Sequence, residues 1–309
     1  MTRCFLSIIL IVSANALCQG LELDGRVEPH PRKGWVSVHS VETPFSAGQA
    51  VGLDGKFRFR DLKAGAYTVA VTSEVGEARR TVEVNPSSAD RQGRVFVNLK
   101  LEVARQSRRH RTSAKELAIP ADAWRAYLEA QNRLKRHDVE GGMRQLERAV
   151  EIYPAFTAAR NNLGTIAYQT GKYPLAEQHF RAALEHEAGA YEPTVNLGGV
   201  LLNLKRYEEA LQYNRFAVKA RPEDALAQSQ LGMNLYFLRD ADQAIRYLKE
   251  AKRLDPAHFS RPQLLLAEIY AQRGLREQAV AEVEDYLERH PEDAERDRLR
   301  ALIRKLRQP

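Results

Sequence analysis

Few side chains in this 309-residue chain stand at spacings that could do chemistry. His179 and His186 lie seven apart in one helical pattern, two turns along a single face, where a metal could bridge them. A third ligand does not accompany them, so they read as surface imidazoles. Acidic pairs such as Glu208-Glu209 fall at helix starts, where a carboxylate suits the helix dipole better than it suits acid–base catalysis. Cys4 and Cys18 are the only cysteines, which excludes a cysteine-based zinc site and any disulfide within the mature chain. The glycine pairs Gly141-Gly142 and Gly198-Gly199 sit inside helical patterns and cradle no phosphate. HExxH, GxSxG, P-loop and GxGxxG motifs are absent. The expectation is a chain with no catalytic residue, no cofactor and no metal.

The elements that would position any binding residues are written in a repeat. Between Ala123 and Asp293 one pattern returns five times, at a period of about 34 residues. Leu163-Gly164 comes back as Leu197-Gly198 and Leu231-Gly232. Ala176, Phe180 and Ala183 come back as Ala210, Asn214 and Ala217, then as Ala244, Leu248 and Ala251. Pro154, Pro222, Pro256 and Pro291 punctuate the copies, and proline cannot continue a helix. Each copy holds two apolar stripes at helical spacing. Small residues at the contact points let the two helices approach closely, and one such hairpin must stack on the next to hide its apolar face.

The run resembles the tetratricopeptide repeat family, with copies at 123–156, 157–190, 191–224, 225–259 and 260–293. Residues 294–309 follow, with an amphipathic capping helix whose apolar stripe is Leu299, Leu302, Ile303 and Leu306. The resemblance implies a concave surface, lined by the first helices, that holds an extended peptide. Matching positions are Tyr127, Gln131, Asn161, Asn162, Tyr168, Asn196, Asn203, Gln230, Tyr236 and Phe237. An amide there can pair with both N–H and C=O of a peptide backbone, and rings beside it supply contact area at low entropic cost. The same amides could instead bond helix to helix. Family members that clamp a terminal carboxylate do so with lysines and an arginine; Tyr127, Glu192 and Asn196 stand at those positions, so a neutral, extended protein segment is expected.

Ahead of the repeats, apolar residues alternate, as in Val36/Val38, Phe57/Phe59, Tyr67/Val69/Val71, Val82/Val84 and Val95/Val97/Leu99/Leu101. That period belongs to strands with one buried face. Asp24-Gly25, Asp54-Gly55 and Asn85-Pro86 read as turns between them, and 42–50 reads as irregular. The stretch LDGKFRFRDLKAGAYTVAV is similar to the carboxypeptidase regulatory-like domain, a transthyretin-like β-sandwich. That similarity implies a hairpin turn at Asp54-Gly55 and a sandwich plugged by Leu62 and Tyr67, with Gly65 taking the bend. The peptidase domain such modules can accompany is not in the sequence. Trp35 is the aromatic most expected at the surface, a platform for a glycan.

Residues 1–16 have the makings of a secretory signal: Arg3, a short apolar centre, and Ala14-Asn15-Ala16 for cleavage. Leu17 before Cys18 disfavours a lipid anchor. Residues 17–103 then form the sandwich, and 104–122 a basic linker in which Arg105, Arg108, Arg109, Arg111 and Lys115 cluster; residues 105–115 read as a solvated link or a contact with an anionic surface or envelope glycan. The net charge of +7 forms no stripe along the repeats, so no nucleic-acid partner is expected. The expected architecture is a small all-β sandwich followed by an all-α superhelical array of five helical hairpins and a capping helix. The expected function is an exported, periplasmic or secreted, non-enzymatic scaffold binding a protein partner, with glycan binding by the sandwich as the alternative.

Overall fold

The computed structural model describes residues 20–101 and 118–308. The expected signal (1–16) and the basic cluster at 105–115 lie outside the described residues.

Seven strands form two facing sheets. They are β1 (Leu21–Glu28), β2 (Gly34–Ser40), β3 (Ser46–Ala50), β4 (Lys56–Leu62), β5 (Gly65–Ser73), β6 (Glu77–Val84) and β7 (Arg94–Lys100). One sheet runs β4-β1-β7, with β1 and β7 parallel; the other is antiparallel and runs β3-β2-β5-β6. The alternating residues meet between them: Leu23, Val27, Val36, Val38, Val69 and Val84 are wholly buried. Leu62 and Tyr67 are buried as expected, and the Tyr67 hydroxyl donates to the Lys63 carbonyl at 2.9 Å.

Three expectations for this part are corrected. Asp24-Gly25 is no turn; it lies inside β1, where Gly25 pairs with Phe57 and a Cβ would fall 1.9 Å from the Phe57 ring. The glycine marks a close approach of ring to backbone. Asp54-Gly55 is a turn, with Gly55 at φ 77°, but the strands it joins belong to different sheets, so it is a crossing and not a hairpin. The stretch 42–50 contains β3, whose small and polar residues (SAGQA) hide an edge strand from a hydrophobic pattern.

Eleven helices follow among the described residues. They are α1 (Ala121–Lys135), α2 (Val139–Ile152), α3 (Thr157–Gln169), α4 (Tyr173–His186), α5 (Tyr191–Asn203), α6 (Tyr207–Ala220), α7 (Ala225–Phe237), α8 (Ala241–Leu254), α9 (Pro262–Gln272), α10 (Arg276–Arg289) and α11 (Arg296–Leu306). The first ten pair into five hairpins and α11 caps the last. Within hairpins the contacts follow the repeat. A Cβ on Gly164 would sit 2.6 Å from the Phe180 ring, one on Gly232 2.7 Å from Leu248, and one on Gly198 2.1 Å from the Asn214 amide. The turn inside each hairpin passes through the left-handed region at one equivalent residue: His137, Gly171, Lys205, Arg239 and Gly274. In the cap, Leu299 and Ile303 are buried, whereas Leu302, expected in the same apolar stripe, is exposed.

Candidate functional site

The first helix of each hairpin carries the amides and rings singled out above, and the structure sorts them into a ladder. Asn162 donates to the Tyr127 hydroxyl at 3.4 Å, Asn196 to the Asn161 carbonyl oxygen at 3.0 Å, and Asn203 to the Tyr168 hydroxyl at 3.0 Å. Every rung spans 35 residues, one repeat. Further along, Tyr236 donates to Glu268 at 2.7 Å and accepts from Gln272 at 2.9 Å. Burial raises the pKa of Tyr127, Tyr168 and Tyr236 above the ordinary phenol value, so all three hydroxyls stay neutral. Gln230 of α7 packs its amide against Gly199 of α5, where a Cβ would come within 2.6 Å. Phe237 stacks on Tyr207 at 4.6 Å. The ladder is thus the helix-to-helix bonding that the amides could adopt. Each bonded Asn amide still keeps donor or acceptor capacity, and the Asn side chains lie half-buried or exposed.

Gln131 does something different: its side-chain oxygen accepts from the Ser46 hydroxyl of β3 at 2.9 Å. That bond belongs to a docking of the sandwich on the array that the repeat pattern does not announce. At one rim, Gln169 at the end of α3 donates to the Ser40 carbonyl at 2.9 Å, and His137 in the α1–α2 turn stacks on Phe45 at 4.9 Å. At the opposite rim, β6 runs along the loops between repeats. Arg79 reaches Asp224 at 3.0 Å, the Thr81 backbone N–H reaches Asp255 at 2.9 Å, and Glu83 lies 3.6 Å from Nδ1 of His290. The first group of contacts falls at the turns inside hairpins one and two, the second at the loops that follow hairpins three, four and five. The sandwich therefore straddles the array, with the outer face of its four-stranded sheet toward the first helices.

The junction is polar and charged. Asp224 caps α7 by accepting from Leu226 and Ala227 backbone N–H groups, and its other oxygen takes Arg79. Arg221 lies over the Tyr191 ring at 3.9 Å, and burial beside the Asp224 carboxylate pushes the Tyr191 phenol well above its ordinary range. On β2, His39 sits opposite Ser46 with its side chain exposed on the outer face of the sheet. His258 is held low by burial, which outweighs the Asp255 and Asp224 carboxylates.

Trp35 lies on the same outer face, 56% exposed, with its indole covering Gly48. His179 is half-buried and His186 exposed, and among the described residues no group of three or more His, Cys, Asp or Glu could hold a metal ion. Glu208 and Glu209 do start α6, and Glu209 pairs with Arg181 and Arg206. Arg79, Thr81, Asp224, Asp255 and His290 were not singled out by the sequence. One signal was available: Asp255 follows the C-terminus of α8, the end of a helix that disfavours an acid.

Residues 127–193 and 238–303 match family descriptions of the tetratricopeptide repeat. The helical hairpins are tetratricopeptide repeats. The strands lie outside both matched stretches. Human cell division cycle protein 16 homolog is 31% identical over 117 residues, 35% of this chain and 19% of that protein. Type IV pilus assembly protein PilF of Pseudomonas aeruginosa is 31% identical over 127 residues, 40% of this chain and 49% of that protein. In both cases the match spans less than half of the relative's own length. The solved structure of MamA 41-end from Desulfovibrio magneticus RS-1 superposes with a TM-score of 0.51 at 21% identity, covering 57% of this chain and 99% of that one. That last likeness is one of fold. No helix among the described residues is long and apolar enough to cross a membrane.

Proposed function

We propose that the chain is an exported, non-enzymatic scaffold that holds an extended, uncharged protein segment against the first helices of its tetratricopeptide array. The half-buried amide ladder carries this reading. Asn161, Asn162 and Asn196 are fixed in orientation by their inter-repeat bonds, and each retains capacity to meet a peptide backbone. Pre-set donors and acceptors cost little entropy on binding. Tyr168 and Phe237, 38% and 41% exposed, offer ring faces beside the ladder. The sandwich, which we read as similar to carboxypeptidase regulatory-like modules, serves as a second contact module that roofs part of this surface. Export rests on the residues of the signal and its Ala14-Asn15-Ala16 site.

Crosslinking in the native envelope followed by identification of captured protein, repeated with Asn162→Ala/Asn196→Ala, tests the reading. The captured partner should be lost while the helical circular dichroism is kept. An unaltered capture profile in the double variant sinks it. The mass of the mature chain tests export, with cleavage expected after Ala16.

A further inference from the structure

We infer that the row of between-repeat loops bearing Asp224, Asp255 and His290 is a recognition site for the edge of a β-strand, filled in this chain by β6 and able to take a competing extended segment from a partner protein. The site lies at the rim of the array and does not depend on the amide ladder.

The match of spacings is the first ground. Asp255 and His290 are equivalent residues, each ending the second helix of its hairpin, and Asp224 opens the first helix of the fourth hairpin. Successive loops are met by Arg79, Thr81 and Glu83, alternate residues of one strand. Those positions share one side of an edge strand, about 6.6 Å apart. The bond from the Thr81 backbone is the kind that a neighbouring strand would make, supplied here by a carboxylate.

Unused bonding capacity is the second ground. Asp255 is 4% exposed, and one of its oxygens has no hydrogen-bond partner. His290, 8% exposed, has an unpartnered Nε2. Buried polar atoms are rarely left so. Two of them beside one strand mean that β6 fills the row without saturating it. A segment with arginine at its first contact, a free backbone N–H two residues on, an acid two further, and a donor for the second Asp255 oxygen fits better.

β6 is also displaceable. What holds it at this rim is one ion pair with a half-exposed arginine, one backbone bond and one approach of 3.6 Å. The arginine end of that pair stays open to water, although the Asp224 end is buried. Tethering by the same chain supplies the rest, as an effective concentration.

The test uses the full chain, its Arg79→Ala/Glu83→Ala variant, and a labelled peptide of residues 77–84, EARRTVEV, read by fluorescence anisotropy. Both substitutions are on the strand surface, and circular dichroism checks the fold. The variant should bind the peptide about ten-fold tighter than the unaltered chain, because the tethered competitor is weakened. Replacing the first arginine of the peptide by alanine should remove about ten-fold of that affinity. Asn162→Ala/Asn196→Ala should leave it unchanged, which separates this site from the amide ladder. Equal binding by chain and variant, no binding by either, equal binding of a scrambled peptide, or loss through the asparagine changes would each overturn the inference.

Discussion

The carboxylate of Asp255 accepts the backbone N–H of Thr81 at 2.9 Å, across 174 residues of sequence. This one bond ties the edge of the sandwich to the fourth repeat and satisfies an amide that β5 does not reach. An edge strand with a row of open N–H groups invites unwanted pairing, and covering it is a common remedy.

Asp255→Ala should leave that amide buried without an acceptor, at a cost of about 1–3 kcal/mol to docking. Hydrogen exchange at Thr81 should quicken by about ten-fold or more, while amides in the core of β5 keep their protection. Unchanged exchange at Thr81 would show that the bond does not form in solution.

Acid should loosen the docked form. His137 and His258 are held below the ordinary imidazole value by burial, assisted by Lys63 at His137. A depressed base favours the neutral ring in the folded chain, so the unfolded chain binds more protons in the window between. Stability is then complete above about pH 6.5, where a free imidazole is neutral. It falls as the pH drops through the ordinary imidazole range, where the unfolded chain takes up protons that the buried ring of His258 refuses. Urea midpoints at pH 7.5, 6 and 4.5 should decline in that order, and His258→Gln should flatten part of the decline.

Asn214 is wholly buried, and neither atom of its amide has a hydrogen-bond partner among the described residues. Phe180 and Leu248 occupy the equivalent places in neighbouring repeats. Asn214→Leu should therefore stabilise the array by about 1–3 kcal/mol, provided the leucine packs on Gly198 as Leu248 packs on Gly232. A thermal midpoint that falls would show that the amide is bonded.

Lys205 sits at φ 59° in a turn where the second and fifth hairpins place glycine. A side chain in that region costs about 1–2 kcal/mol, and glycine in place of lysine removes the clash while adding chain entropy to the unfolded state. Lys205→Gly should be neutral to stabilising by up to about 1 kcal/mol, read from chemical denaturation. Gly171→Lys should move stability the opposite way.

The array was legible because its signals are local and repeated. Leu163-Gly164 and its echoes fix where helices touch, and the structure puts Phe180, Asn214 and Leu248 against the three glycines. The strands with alternating apolar residues were equally plain. β3 was not, because Ser46, Gly48 and Gln49 carry no hydrophobic signature. Gly25 misled because a glycine beside an aspartate suggests a turn, and only the paired Phe57 explains it as a contact. The docking was illegible for a different reason. Arg79 and Asp224 are ordinary surface types, and a pairing over 145 residues leaves no periodic trace in a single chain.

Three alternate residues of β6 answer to three successive loops, those that follow the third, fourth and fifth hairpins, so the strand works as a ruler laid along the superhelix. Tightening or relaxing the coil changes the distance between those hairpins, whereas the ruler has a fixed pitch. Tension on the helices must then shear the strand's anchors, and mechanical load on the array is felt in the β-module before any helix unwinds.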